Sequence, residues 1–134
     1  MKAATVLDAS AVLAFLQSEP GADVVLTALE SDSCIVSAAN QAEIISKSLD
    51  HGLSLSTLQG LLDELNYSVV DITAADGVAA GAMRAKTRHL GLSLGDRLCL
   101  ALGQRLGAKV LTADRPWLKV KKPLGVSIQC IRPE

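Results

Sequence analysis

Thr5-Val6-Leu7-Asp8-Ala9-Ser10-Ala11-Val12-Leu13 decides the fold. A β-branched, apolar run stops at an aspartate, and small and apolar residues suited to a helix follow at once. The pattern is a first strand that delivers Asp8 to its carboxyl end and turns directly into a helix. In open α/β sheets the crevice beyond the carboxyl ends of the strands is where ligands bind. An acid there faces a site. Asp is also a favoured N-cap, so this stretch alone leaves Asp8 equally explained as the cap of the helix it precedes.

Outward from that stretch the alternation repeats. Cys34-Ile35-Val36, Tyr67-Ser68-Val69-Val70, Ala108-Lys109-Val110-Leu111-Thr112 and Val126 to Ile131 read as strands, the last as a half-buried edge. Between them lie segments with apolar residues at helical spacing, such as Val25, Leu26 and Leu29, or Leu98, Ala101, Leu102 and Leu106. Ser37 or Asn40 can cap the helix carrying Glu43, Ser54 opens the next, and Thr73 caps an Ala- and Gly-rich helix over 74–85. Strands alternating with helices predict a three-layer α/β/α sandwich with a mainly parallel sheet of about five strands. At 134 residues, without repeat or linker, the chain reads as one domain over 1–134.

Composition excludes several classes. No apolar run approaches the roughly 20 residues of a membrane span, and Met1-Lys2-Ala3 does not begin a signal peptide. The expectation is a soluble, cytoplasmic protein with no membrane partner. Cys34, Cys99 and Cys130 are far apart and show no C-x-x-C spacing, so they suit an apolar core in a reducing compartment rather than a zinc site. A net charge of −1 argues against a surface coated in positive charge, though not against a local basic patch.

Four of the 14 acids stand apart from the polar helix faces and turns. Asp8 and Asp114 each follow a strand at its carboxyl end. Glu43 and Asp96 each lie early in a helix, which in a right-handed α/β unit starts near that same edge. Converging carboxylates repel, so they must hold protons or a cation. With oxygen donors only, that cation is hard, Mg²⁺ or Mn²⁺ rather than Zn²⁺. Each acid also has a local explanation. Asp96, three residues after Ser93, fits a capping box, Asp114 suits a turn before Arg-Pro, and Glu43 suits an exposed helix face.

With these residues in place the chain resembles the PIN-domain ribonucleases, in particular VapC-type toxins of VapBC toxin–antitoxin pairs. The resemblance covers the whole chain and rests on Val6-Leu7-Asp8-Ala9-Ser10-Ala11, Ala42-Glu43-Ile44, Ser93-Leu94-Gly95-Asp96-Arg97 and Leu111-Thr112-Ala113-Asp114-Arg115. It implies a PIN-like fold and an Mg²⁺-dependent endoribonuclease that hydrolyses RNA phosphodiesters with a metal-activated water. Asp8, Glu43, Asp96 and Asp114 would be both the catalytic acids and the metal ligands, supported by Ser10 and Thr112. It further implies a cognate VapB-like antitoxin and a homodimer. Arg84, Lys86, Arg88, Arg115 and Lys119 are candidates to grip RNA phosphates, with surface solubility as their other explanation.

Two rival functions differ in class. A haloacid-dehalogenase-type phosphotransferase wants a second Asp two positions after the strand-end Asp, and Ser10 stands there. A degenerate, non-catalytic PIN-like module that binds RNA or a partner would have lost acids of the set, and none is missing.

Overall fold

β1 (Ala4–Leu7) occupies the middle of a five-stranded sheet in the computed structural model, which describes residues 2–134. The other strands are β2 (Ser33–Ser37), β3 (Tyr67–Val70), β4 (Lys109–Thr112) and β5 (Ile128–Cys130). Their order is β3-β2-β1-β4-β5 and every pairing is parallel. The chain thus winds outward from β1 in one direction to β3, then crosses back to place β4 on the other side of β1. That reversal makes the gap beyond β1 and β4 a topological switch point, where α/β sheets open a crevice. Leu7 pairs with Leu111, which brings Asp8 alongside Thr112.

Alternation along the strands separates two cores. Leu7, Cys34, Val36 and Leu111 face one way, into a cluster with α1 (Ala9–Leu16), α2 (Ala22–Ser31), α3 (Ala38–Asp50) and α4 (Leu55–Asp63). Val6 and Val110 face the other way, into a cluster with α5 (Ala74–Ala82) and α7 (Leu94–Leu106). Both faces are covered, as the near-continuous apolar character of the central strands requires. The edge strand β3 is exposed or half-exposed along its length, and β5 forms the opposite edge. Trp117, the single tryptophan, is fully buried in the α5–α7 layer.

Two segments refine the sequence reading. The helix expected over 74–85 is divided: α5 ends at Ala82, and a single turn, α6 (Arg84–Thr87), follows Met83. The break falls where the Ala80 carbonyl accepts from the Arg97 guanidinium at 2.9 Å, a side-chain bond that competes with the regular helix ladder. The loop expected after Asp114 winds into a 3₁₀ segment, Arg115–Val120, and then α8 (Lys121–Leu124). Among the described residues no helix is long and apolar enough to cross a membrane.

Candidate active site

Asp8 stands at the N-cap position of α1, yet its side chain makes no capping bond. One carboxyl oxygen, Oδ2, instead accepts from the hydroxyls of Ser10 and Thr112, the latter at 3.0 Å. Both hydroxyls are themselves fed from behind. The Ala113 amide donates to Ser10 Oγ at 2.9 Å and the Asp114 amide to Thr112 Oγ1 at 3.1 Å. With those lone pairs taken by amides, the hydroxyl protons are directed at Asp8. The other carboxyl oxygen has no protein donor among the described residues. Burial pushes the Asp8 carboxyl up from its ordinary 3.8 to about 6, against the opposing pull of Ser10 and Thr112, and the charges of Asp96 and Glu43 add to the rise.

Glu43 reaches this place from the second turn of α3. Ser37 caps that helix by accepting from the Asn40 amide, and its hydroxyl donates to Asn40 Oδ1 at 2.7 Å. This fixes the Asn40 side chain so that its amino group bridges Glu43 Oε1 at 2.7 Å and the Gly95 carbonyl at 3.2 Å. Gly95 is the counterpart of this approach. A Cβ built there would lie 2.7 Å from Glu43 Oε1 and 2.8 Å from its carboxyl carbon. The glycine of Ser93-Leu94-Gly95-Asp96 therefore leaves the room that Glu43 occupies. Asp96 completes a capping box at the start of α7, accepting from the Ser93 amide at 2.9 Å. The fully buried Cys99, one turn further on, lies near the same three acids. Burial, followed by the charges of Asp8, Asp96 and Glu43, pushes its thiol well above the ordinary range.

The structure thus brings Asp8, Glu43 and Asp96 within electrostatic reach of one another. Asp114 lies beside them in the chain's path, through its amide bond to Thr112, but its side chain is exposed and it is not among the charges acting on Asp8. Among the described residues no three His, Cys, Asp or Glu side chains are close enough together to share a metal ion. The two observations fit one physical picture. Like charges at this range repel, and each of the three carboxyls is turned onto a protein donor rather than onto the others. As a donor set, carboxylate oxygens with a glycine clearing space for one of them suit a hard divalent cation.

Of the basic candidates, Arg84, Arg88 and Lys119 are exposed. Lys86 donates to the Pro123 carbonyl at 3.2 Å, and Arg115 donates to the carbonyls of Arg132 and Pro133, so these two are engaged by the chain itself. Asn40 and Gly95 escaped the sequence reading as site residues. Their only signal was their spacing to acids: Asn40 three before Glu43 on one helix face, Gly95 immediately before Asp96.

The PIN domain family matches residues 5–123. No curated protein matches the chain by sequence. Solved structures share the fold: a toxin–antitoxin complex from Klebsiella pneumoniae (TM-score 0.71, 15% identity, covering 97% of this chain and 99% of that one). VapBC2 from Rickettsia felis, bound to a promoter DNA fragment, is similar at TM-score 0.69 and 16% identity, covering 95% and 98%. DNA-bound VapBC from Salmonella typhimurium is similar at TM-score 0.66 and 17% identity, covering 96% and 98%. With the family match running from β1 to beyond β4, over the acids just described, the chain belongs to the PIN-domain family.

Proposed function

We propose that the protein is a VapC-type toxin of the cytoplasm, an endoribonuclease that uses Mg²⁺ or Mn²⁺ and is restrained by a cognate VapB-like antitoxin. The observation that carries this reading is Asp8. It is a buried carboxyl at the switch point of a parallel sheet, oriented by two hydroxyls and pressed by two further acids, in a chain of the PIN-domain family. Its role as a mere helix cap is disfavoured by its side chain's bonds, which go elsewhere.

In this reading Asp8, Glu43 and Asp96 hold the ion, with Asp114 available from the neighbouring loop. When bound, Mg²⁺ shields the phosphodiester's charge and eases deprotonation of an attacking water. The chain's own groups prepare that site. Ser10 and Thr112 fix the Asp8 carboxylate, Asn40 aims Glu43, and Ser93 holds Asp96 at the N-terminus of α7. The unpaired amides of that first turn favour negative charge. Arg84, Arg88 and Lys119 are the candidate cations free to meet RNA phosphates, whereas Lys86 and Arg115 would first have to leave their carbonyls.

The antitoxin has a matching surface. A groove of about 520 Å³ runs between α1, α2 and α4, lined by Phe15, Leu16, Leu26, Leu29, Leu61 and Leu65. Leu26 and Leu61 are 45% and 42% exposed there. An amphipathic antitoxin segment would bury this face, in the helix-in-groove manner, and a following Arg or Lys would reach the acids in place of the metal. The Klebsiella and Rickettsia neighbours, being toxin–antitoxin complexes, support such a partner. The proposal includes a homodimer, for which the exposed Val78 of α5 and Leu94 of α7 are the candidate contact.

Purified protein incubated with total RNA tests the reading. Cleavage should require Mg²⁺ or Mn²⁺, stop with EDTA and vanish in Asp8→Asn. Protein that binds RNA but leaves it intact under every metal condition would return the non-catalytic module as the better account.

A further inference from the structure

On the α1–α3 side of the acids lies a second opening that the proposed chemistry does not use. It is a cleft of about 300 Å³ whose lining includes Ser10, Gln17, Lys47, Asp50, His51 and Arg132. We infer that this cleft seats one nucleotide of single-stranded RNA next to the cleaved bond, with Lys47 and Arg132 on its phosphate. The inference rests on the nuclease reading above, since it is the acid site that would cut the strand.

Continuity is the first argument. Ser10 lines the cleft while its hydroxyl donates to Asp8, so the cleft and the acids adjoin through one shared residue. Helix geometry is the second. Lys47 follows Glu43 by four residues on α3, so both lie on one face, about 6 Å apart along the axis. That rise is close to the step between successive phosphates of an extended strand. One phosphate can sit by the acids while the next meets Lys47. Charge is the third argument. Three mutually repelling carboxylates repel a polyanion as well, so RNA needs compensating cations close to the acids.

Arg132 supplies the opposite wall and is held in place. Its Nε donates to the Ala113 carbonyl at 3.2 Å, its own carbonyl takes a bond from Arg115, and Glu19 lies 3.9 Å from one terminal nitrogen. The bonds from Arg115 thereby acquire a purpose: they pin the tail that carries Arg132 beside the site. Apart from Ser10 and His51, the cleft's remaining groups fit a base rather than a second phosphate. Gln17 both donates and accepts, Asp50 and Glu19 accept only, and Leu13 adds an apolar wall. The volume falls at the low end of the roughly 300–1,000 Å³ typical of small-ligand sites, which suits one nucleotide and not a duplex.

Binding of a labelled, mixed-sequence RNA dodecamer to the Asp8→Asn protein in EDTA separates this idea from the chemistry. Lys47→Ala and Arg132→Ala should each weaken binding several-fold. Each should also flatten the dependence of log affinity on log salt by about one. Gln17→Ala should weaken binding without changing that slope, and Lys121→Ala, away from the cleft, should do neither. Lys47 is exposed, so its variant folds even if loss of Arg132 loosens the tail. Unchanged affinity and slope in Lys47→Ala, or no RNA binding by the parent, would overturn the inference. If the wild type cuts RNA while Lys47→Ala binds normally, the cleft fails and the nuclease reading stands. Slope changes as expected in a protein that never cuts RNA would keep the cleft as an RNA-binding site but refute the nuclease reading, and with it the placement next to a cleaved bond.

Discussion

Replacing Asp8 by Asn isolates the charge at the centre of the site. The side chain keeps its shape, and its Oδ1 can still accept from Ser10 and Thr112. In the wild type the buried carboxyl holds its proton up to about pH 6, against 3.8 when unfolded. Between those values the folded state binds more protons, so stability falls as pH rises through that window. At 1.36 kcal/mol per pH unit the displacement corresponds to about 3 kcal/mol lost by pH 7 relative to pH below 4. Asn has no such loss. In EDTA the variant should therefore gain on the wild type as pH rises from 4.5 to 8, reaching about 2–3 kcal/mol. At about 3–5 °C per kcal/mol for a chain of this size, the gap in Tm should open by about 10 °C. Added Mg²⁺ should then raise the wild-type Tm, by about 2.7 kcal/mol in stability at a hundredfold excess over its Kd, and leave Asn unmoved. Emission of the single buried Trp117 follows both melts. A stability difference that stays constant from pH 4.5 to 8 would refute the reasoning from burial and neighbouring acids. Wild-type cleavage by the variant would remove Asp8 from the metal site.

Further expectations concern the neighbours of that carboxyl. Gly95→Ala puts a methyl where the Glu43 carboxyl lies. Cleavage should drop on the order of ten- to a hundredfold, while Tm stays level or rises because Ala suits a helix better. Unaltered activity would mean that Glu43 does not need its present position. Leu61→Glu, at a half-exposed groove position, should leave stability within about 0.5 kcal/mol and RNA cleavage intact but loosen the antitoxin. Calorimetry with the purified antitoxin checks this, and equal affinity would move the partner off α1, α2 and α4. Between α5 and α7, Arg105 pairs with the nearly buried Asp76 at 2.9 Å. Burial alone would raise that carboxyl, but the bonds from Arg105 and Thr73 outweigh it and hold it below 3.8. The stability it contributes is present above that value and lost as pH falls below it. Arg105→Gln should cost about 1–3 kcal/mol at pH 7, less near pH 3; urea melts that give the same cost at both would discount the pair.

The sequence by itself determined the alternation of strands and helices, the two-sided burial of the central strands and the position of Asp8 at a strand end. These are local matters: β-branched runs, helical spacing and capping residues act within a few positions of themselves. Ser93 and Asp96 did form the capping box their spacing allowed, so that explanation of Asp96 and its part in the acid cluster are both true of one side chain. Asp8 went the other way: its Oδ2 accepts from Ser10, two residues on, and from Thr112 of β4, 104 residues distant in the chain. Only the tertiary structure decided such choices. The strand order put β4 against β1 and so brought Thr112 to Asp8. The approach of α3 to α7 gave Gly95 and Asn40 their roles, and the tail folding back beside α1 tied Arg115 to the Arg132 and Pro133 carbonyls and brought Arg132 to the cleft. A residue's type limits what it can donate, accept or fill; which partner it meets depends on chain crossings that no local pattern encodes.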